Sequence, residues 1–241
     1  MATSQDGFPY TRWSLLSAAA SDVPERRRLG IARIAETYWR PLYVYLRIKY
    51  RLTAADAQDA LQGFLAELWS GAALASFDPD KARFRTWLRV CLDHWFANVR
   101  RAERAAKRGG GSELISIDFA GVDAFVDQME RRESDEPEAR YEQEWIRALY
   151  EIAVAATRRK YEEAGKTADF DMFDRYALSG ESLSYDDLAR ASGLPVTTVT
   201  NRLAAVRREL RRTVLDQLRE LTATEEEFRA EAERVLGVDP T

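Results

Sequence analysis

The stretch Ser184-Tyr185-Asp186-Asp187-Leu188-Ala189-Arg190-Ala191-Ser192-Gly193-Leu194-Pro195-Val196-Thr197-Thr198-Val199-Thr200-Asn201-Arg202 decides how this chain is read. Ser184 stands ahead of two aspartates and an apolar pair, as a helix N-cap does where negative charge is favoured in the first turn. Gly193 falls where that short helix must stop and turn. Pro195 fits the first turn of a second helix, where its missing N–H goes unused. Val199, Leu203, Val206 and Leu210 then recur on one face, leaving Thr197, Thr198, Thr200, Asn201 and Arg202 off it near the start. This is the layout of a helix-turn-helix, whose second helix offers its N-terminal polar residues to the DNA major groove. Arg202, Arg207, Arg208, Arg211, Arg212 and Arg219 face Glu209 and Asp216, the local positive excess that phosphate contacts need. A solvated helix of a bundle would show the same pattern.

Helical periodicity continues on both sides. Leu29, Ile31, Ile34, Ala35, Tyr38, Leu42, Tyr45, Leu46 and Ile48 predict a helix over 25–49, with Pro41 either kinking it or starting a second one. Thr53 is placed to cap a helix over 54–69, with Gly71 near its stop. Residues 76–80 read as a turn, and a long helix follows over 82–107. Gly109-Gly110-Gly111-Ser112 marks a domain boundary, and the only strand signal is the short run 114–118. Helical pattern resumes from about 140 to 163, breaks at Gly165, continues as shorter helices to about 220, and closes with an acidic helix over 224–236. That tail is read as a solvated helix, the alternative being that it folds back and masks a basic one. The expected fold class is all-α. It has two helical domains, at 24–108 and 140–221, joined by an acidic linker at 109–139. An N-terminal segment, 1–23, and an acidic helix within 222–241 flank them.

Of the 241 residues, 36 are Lys or Arg and 40 Asp or Glu, a net charge of −4. That length suggests one to two domains, and 46% hydrophobic residues can build a core. One cysteine, Cys91, rules out an internal disulfide, and with one histidine, His94, a metal site is not expected. No Gly-rich phosphate loop or nucleophile motif is visible, so an enzyme is the least supported reading, and no cofactor is expected. No signal peptide or membrane span is expected either, and the unpaired cysteine suits the cytoplasm. The acidic total hides local contrast. Residues 123–144 carry nine acids against three arginines, whereas residues 100–108 carry five basic residues against Glu103. Phe77, Phe84, Trp87, His94, Trp95 and Phe96 precede that basic run. Aromatics beside positive charge suit unstacked bases, although Trp87, Trp95 and Phe84 equally suit a core.

Together these residues resemble bacterial sigma factors of the sigma-70 class. The closest likeness is to the short extracytoplasmic-function type that keeps regions 2 and 4, over roughly 8–221. The likeness lies in Tyr38-Trp39-Arg40-Pro41-Leu42-Tyr43, in Asp56-Ala57-Gln58-Asp59 followed by Gln62, Phe64 and Trp69, and in Phe77 ahead of Phe84-Arg85-Thr86-Trp87-Leu88. It continues in Ser184-Tyr185-Asp186-Asp187-Leu188-Ala189 with Gly193, Pro195 and Val199. The resemblance implies that Asp56, Asp59 and Gln62 meet core RNA polymerase, whose β′ clamp and β flap would be partners. It implies that Phe77, Lys81, Trp87, His94, Asn98, Arg100, Arg101 and Arg104 hold the −10 element of promoter DNA. Thr197, Thr198, Thr200, Asn201, Arg202, Arg207 and Arg208 would read the −35 element, and the linker would thread the RNA exit channel as an anionic stand-in for RNA.

Two departures matter. Gln58 stands where the family pattern has a carboxylate, which weakens a contact made of opposite charges. With Phe8-Pro9-Tyr10-Thr11-Arg12-Trp13 and Tyr161-Glu162-Glu163-Ala164-Gly165-Lys166, it resembles the subgroup associated with Ser/Thr protein kinases. Phosphate on Thr53 would there restore negative charge at a helix N-terminus. Thr53 as a plain helix cap is the competing reading. The tail beyond residue 221 is the second departure. Two other functions stay open: a polymerase-independent helix-turn-helix regulator, and an all-helical adaptor without a DNA role.

Overall fold

The computed structural model describes residues 14–19, 21–69, 73–105, 119, 122–123, 126 and 136–237, and among the described residues the regular structure is entirely helical. The boundary at 109–112 and the strand candidate at 114–118 lie outside them. The helices are α1 (Ser14–Ala19), α2 (Pro24–Tyr50), α3 (Ala54–Trp69), α4 (Phe84–Ala105), α5 (Pro137–Glu163), α6 (Thr167–Ala177), α7 (Tyr185–Ser192), α8 (Val196–Leu221) and α9 (Glu225–Leu236). No helix among the described residues is long and apolar enough to cross a membrane.

α2 runs unbroken through Pro41. A mid-helix proline removes one backbone bond and crowds the preceding turn, yet Pro41 to Arg47 are all buried. Burial on every side holds the helix where propensity alone would end it, and Arg51, in the left-handed region at φ 50°, closes it one residue after Tyr50. Gly30 lets α1 lie directly on α2: a Cβ there would stand 2.3 Å from the Ala19 backbone nitrogen. Gly63 plays the same part between α3 and α4, where a Cβ would meet the Trp95 ring at 2.9 Å.

The buried residues form two clusters. The smaller joins Phe170, Met172 and Phe173 of α6 to Leu188 and Ala189 of α7 and Val199, Leu203 and Val206 of α8. The larger gathers α1 to α4, Phe119, Val122 and Val126, but also Tyr141, Trp145, Leu149 and Ala153 of α5, Val214 and Leu218 of α8, and Phe228 and Ala232 of α9. The packing therefore does not divide at 109–139. α8, 26 residues long, belongs to both clusters, in place of the run of shorter helices expected there.

Described acids of the stretch 123–144 add ion pairs to this shared cluster. Glu138 pairs with Arg89 at 3.0 Å and Glu144 with Arg40 at 2.9 Å, Glu142 reaches Arg85 at 3.1 Å, and Asp123 lies 3.5 Å from Arg47. These four carboxylates meet cations of α2 and α4, Glu144 buried and the others still partly open to solvent. Beside them, Asp93 of α4 accepts from the Tyr50 hydroxyl at 2.7 Å, the Tyr45 hydroxyl at 2.9 Å and Lys49 Nζ at 2.9 Å. Burial raises the pKa of both phenols.

The tail corrects the solvated-helix expectation. Phe228 and Ala232, one turn apart, are buried, and so is Glu231, which lies 3.0 Å from Arg85 Nε and 3.1 Å from Arg83 Nη1. An apolar face found a hydrophobic surface and its carboxylates found cations, so α9 docks.

Gly30→Ala separates packing from propensity. Alanine gains about 1 kcal/mol in a helix interior, but forcing a methyl into backbone typically costs about 1–3 kcal/mol. A net loss of about 1–2 kcal/mol is expected in denaturant unfolding. An unchanged or raised midpoint would show that α1 moves aside freely.

Candidate nucleic-acid and polymerase interface

The helix-turn-helix is built as its residues dictate. The Ser184 hydroxyl accepts from the Asp187 N–H at 3.1 Å, and the Asp187 carboxylate accepts from the Ser184 N–H at 2.9 Å, a reciprocal capping box. Hydrogen bonds from the Ser184 hydroxyl and backbone, with Arg190 beside them, hold the Asp187 carboxyl below its ordinary pKa. Gly193 turns the chain at φ 67°, in the left-handed region open to glycine. Pro195 is the cap residue of α8 and precedes its first turn by one position, its carbonyl accepting from the Thr198 and Val199 N–H groups.

On α8 the expected DNA-facing residues separate into two groups. Thr197, Thr200, Asn201 and Arg208 are exposed, with Thr197, Asn201 and Arg208 on one stripe, and Thr198 is half-buried. Arg202 is turned to α6, its guanidinium 2.8 Å from Asp169. Arg207 lies over the Tyr176 ring at 5.2 Å and donates to the Tyr185 hydroxyl at 3.4 Å. Both arginines brace the motif, Arg202 half-buried and Arg207 while remaining exposed. Their local positive pattern could not distinguish bracing from contact, because Asp169 and Tyr176 come from α6.

On α4, Trp87, Cys91, His94, Asn98 and Arg101 follow the spacing of one face. His94, Asn98, Arg100 and Arg101 are exposed, Arg101 donating to Asn98 Oδ1 at 3.3 Å and Arg100 resting over Phe96 at 5.7 Å. The Arg104 side chain lies outside the described residues. Phe77 and Trp87 are half-buried and turned to each other at 5.3 Å, Phe77 standing edge-on to Phe84 at 5.2 Å. Through Phe77 the 77–82 turn is tied to the start of α4. Lys81 is exposed and pairs with Asp78 at 2.8 Å, while Asp78 also accepts from the Asp80 N–H.

On α3, Thr53 is the cap: its hydroxyl accepts from the Asp56 N–H at 3.2 Å and lies 2.8 Å from Asp56 Oδ2. Asp56 and Asp59 are exposed and Gln62 is half-buried. Gln58 donates to Asp123 Oδ2 at 3.2 Å, and the other oxygen of that carboxylate accepts from the Tyr43 hydroxyl, whose pKa burial first and Asp123 second push up to about 12. Asp123, within the acidic stretch, thus sits beside the Asp56–Asp59 motif. Nothing local marked it, since its partners lie far earlier in the chain. Its position gives Gln58 a physical reason: a second carboxylate there would face Asp123 at contact distance.

Among the described residues no group of His, Cys, Asp and Glu side chains is arranged to hold a metal ion. Comparison with protein-family models, with curated proteins and with solved structures finds no match.

Two outcomes test these local arrangements. Ser184→Ala should return the Asp187 titration toward the ordinary carboxylate value. The sign follows from the depression: the cap's contribution is present above that ordinary value and lost as pH falls through the lowered one. An Asp187 titration unmoved in NMR would remove the serine as its cause. Gln58→Glu should speed amide exchange at Val122 and Asp123, whose N–H groups donate to the Phe119 carbonyl, by repelling Asp123, and unchanged exchange would mean that the amide contact holds nothing there.

Proposed function

We propose that this chain is a sigma factor of the sigma-70 class that recruits core RNA polymerase to particular promoters and helps to open them. The observation that carries the proposal is the helix-turn-helix. A capped α7, a left-handed glycine turn and an α8 with Thr197, Thr200, Asn201 and Arg208 exposed offer what a major groove reads. The exposed side of α4, with His94, Asn98, Arg100 and Arg101, supplies a second surface fit for phosphates and unstacked bases. The exposed carboxylates Asp56 and Asp59 on α3 supply a polymerase-facing one, to meet the β′ clamp, and the β flap would take the second half. Opening would draw on binding energy, capture of unstacked −10 bases offsetting a few kcal/mol of unstacking.

In this reading Thr53 is also a site where a Ser/Thr protein kinase acts. A phosphate adds about −1.5 to −2 charge at the start of α3, next to the exposed Asp56. It would replace the donor that Asp56 now receives and extend the anionic patch toward the clamp. Wild-type protein should then bind core weakly until phosphorylated or changed to Thr53→Glu. Equal binding by wild type, Thr53→Ala and Thr53→Glu would remove the gate.

The deciding experiment is run-off transcription with purified core on a genomic fragment library, paired with promoter binding with and without core. Core-dependent binding and discrete transcripts are expected. Tight binding without core would favour a free-standing regulator, and no DNA affinity even at low salt an adaptor. Within a selected promoter, Asn201→Ala should cost about 1–3 kcal/mol and relax preference at one base pair, whereas Arg208→Ala should weaken all sequences alike and lower the salt slope by about 1.

A further inference from the structure

The tail helix α9 makes polar contacts on two sides, the first at the start of α4. Glu227 Oε1 accepts the Phe84 N–H at 3.1 Å, capping α4, while its Oε2 accepts the Ala223 N–H at 2.8 Å. Glu231 Oε1 takes Arg83 and Arg85 on either side of Phe84. Phe84 is the ring against which Phe77 of the 77–82 turn rests. From the other side, the Tyr150 hydroxyl of α5 donates to the Val235 carbonyl at 3.1 Å, and Arg234 pairs with Glu142. Arg219 of α8 lies over Phe228 at 4.5 Å. One helix of twelve residues therefore ties the start of α4 to α5 and to the end of α8.

We propose that α9 is an intramolecular latch, holding the chain in a closed form that cannot engage both promoter elements until α9 releases the Arg83–Phe84–Arg85 end of α4. The inference rests on the reading as an initiation factor and concerns its regulation. Elements centred at −10 and −35 are about 25 base pairs apart, which is about 85 Å of duplex at about 3.4 Å per pair. A compact chain of this length has a radius of gyration of about 18 Å. Val214 and Leu218 of α8 share one buried cluster with Leu88 and Leu92 of α4. Thr197 then stands about 26 Å along α8 from Val214, at 1.5 Å per residue. The packed form is too short for the span.

The contact is also built to let go. Glu231 Oε2 is buried without a hydrogen-bond partner, and the latch relies on desolvated charges that water would serve as well. Desolvation offsets much of the attraction in a buried ion pair, so such pairs add little net stability. A protein whose competent form is a minor fraction shows an affinity reduced by that fraction, so loosening the latch should strengthen binding.

The test uses the full-length chain with Glu231→Gln and, separately, Tyr150→Phe, which keeps the ring and removes only the hydroxyl that holds Val235. Hydrogen exchange over residues 225–236, the apparent Kd for purified core polymerase and run-off transcription are read for each. Both variants are expected to exchange faster over α9 and to bind core at least fivefold more tightly than wild type. Tyr150→Phe decides the matter if Glu231→Gln loses helicity. Faster exchange with unchanged Kd, or unchanged exchange, overturns the latch while transcription from all three proteins leaves the initiation-factor reading standing. Absence of core-dependent transcript from all three overturns that reading, and the latch with it.

Discussion

The second half of α2 is the constraint on which the rest depends. Pro41 to Arg47 are buried on every face of the helix, which no amphipathic surface helix does. Such a segment needs cover all round, and the chain supplies it from α4, α5 and the residues Phe119 and Asp123. Polar groups inside it must then be satisfied locally. Tyr45 meets Asp93 and Arg89, Tyr43 meets Asp123, and Arg47 meets Tyr43 and Asp123. These contacts draw in α4 and Asp123, so burial of one helix recruits partners that enclose it.

Charge follows the same logic. The net −4 averages basic helices with an acidic stretch, and the structure brings the opposites together. Glu138, Glu142 and Glu144 of α5 pair with arginines of α2 and α4, and Glu231 of α9 does the same. Opposite charges that look like separate surfaces in one dimension become internal contacts in three. This is why a tail that read as solvated is docked: its carboxylates and its few apolar residues have complementary partners elsewhere in the chain.

The candidate site shows both sides of what a sequence reveals. The Ser184 cap, the turn at Gly193 and the apolar face of α8 were legible because each rests on neighbours within a few residues. So was the stripe of His94, Asn98 and Arg101, which needs only helical spacing. The roles of Arg202, Arg207, Phe77 and Trp87 were not, since Asp169, Tyr176 and Phe84 decide which way those side chains turn. Gln58 read as a lost charge, and it became a hydrogen-bond donor once Asp123 stood opposite it.

Local chemistry, then, was settled by the sequence alone: helix after helix, where most of them begin and stop, which face of each is apolar, and the two-helix motif with its polar start. Caps, left-handed glycines and 3.6-residue periodicity act over one or two turns, so the order of residues is enough. Tertiary structure alone decided that α2 passes through Pro41, that α8 serves two clusters, that Asp123 sits beside the Asp56–Asp59 motif and that α9 closes on α4. Each of those outcomes is a choice among distant partners, set by which buried surfaces and opposite charges meet, and no local pattern carries that information.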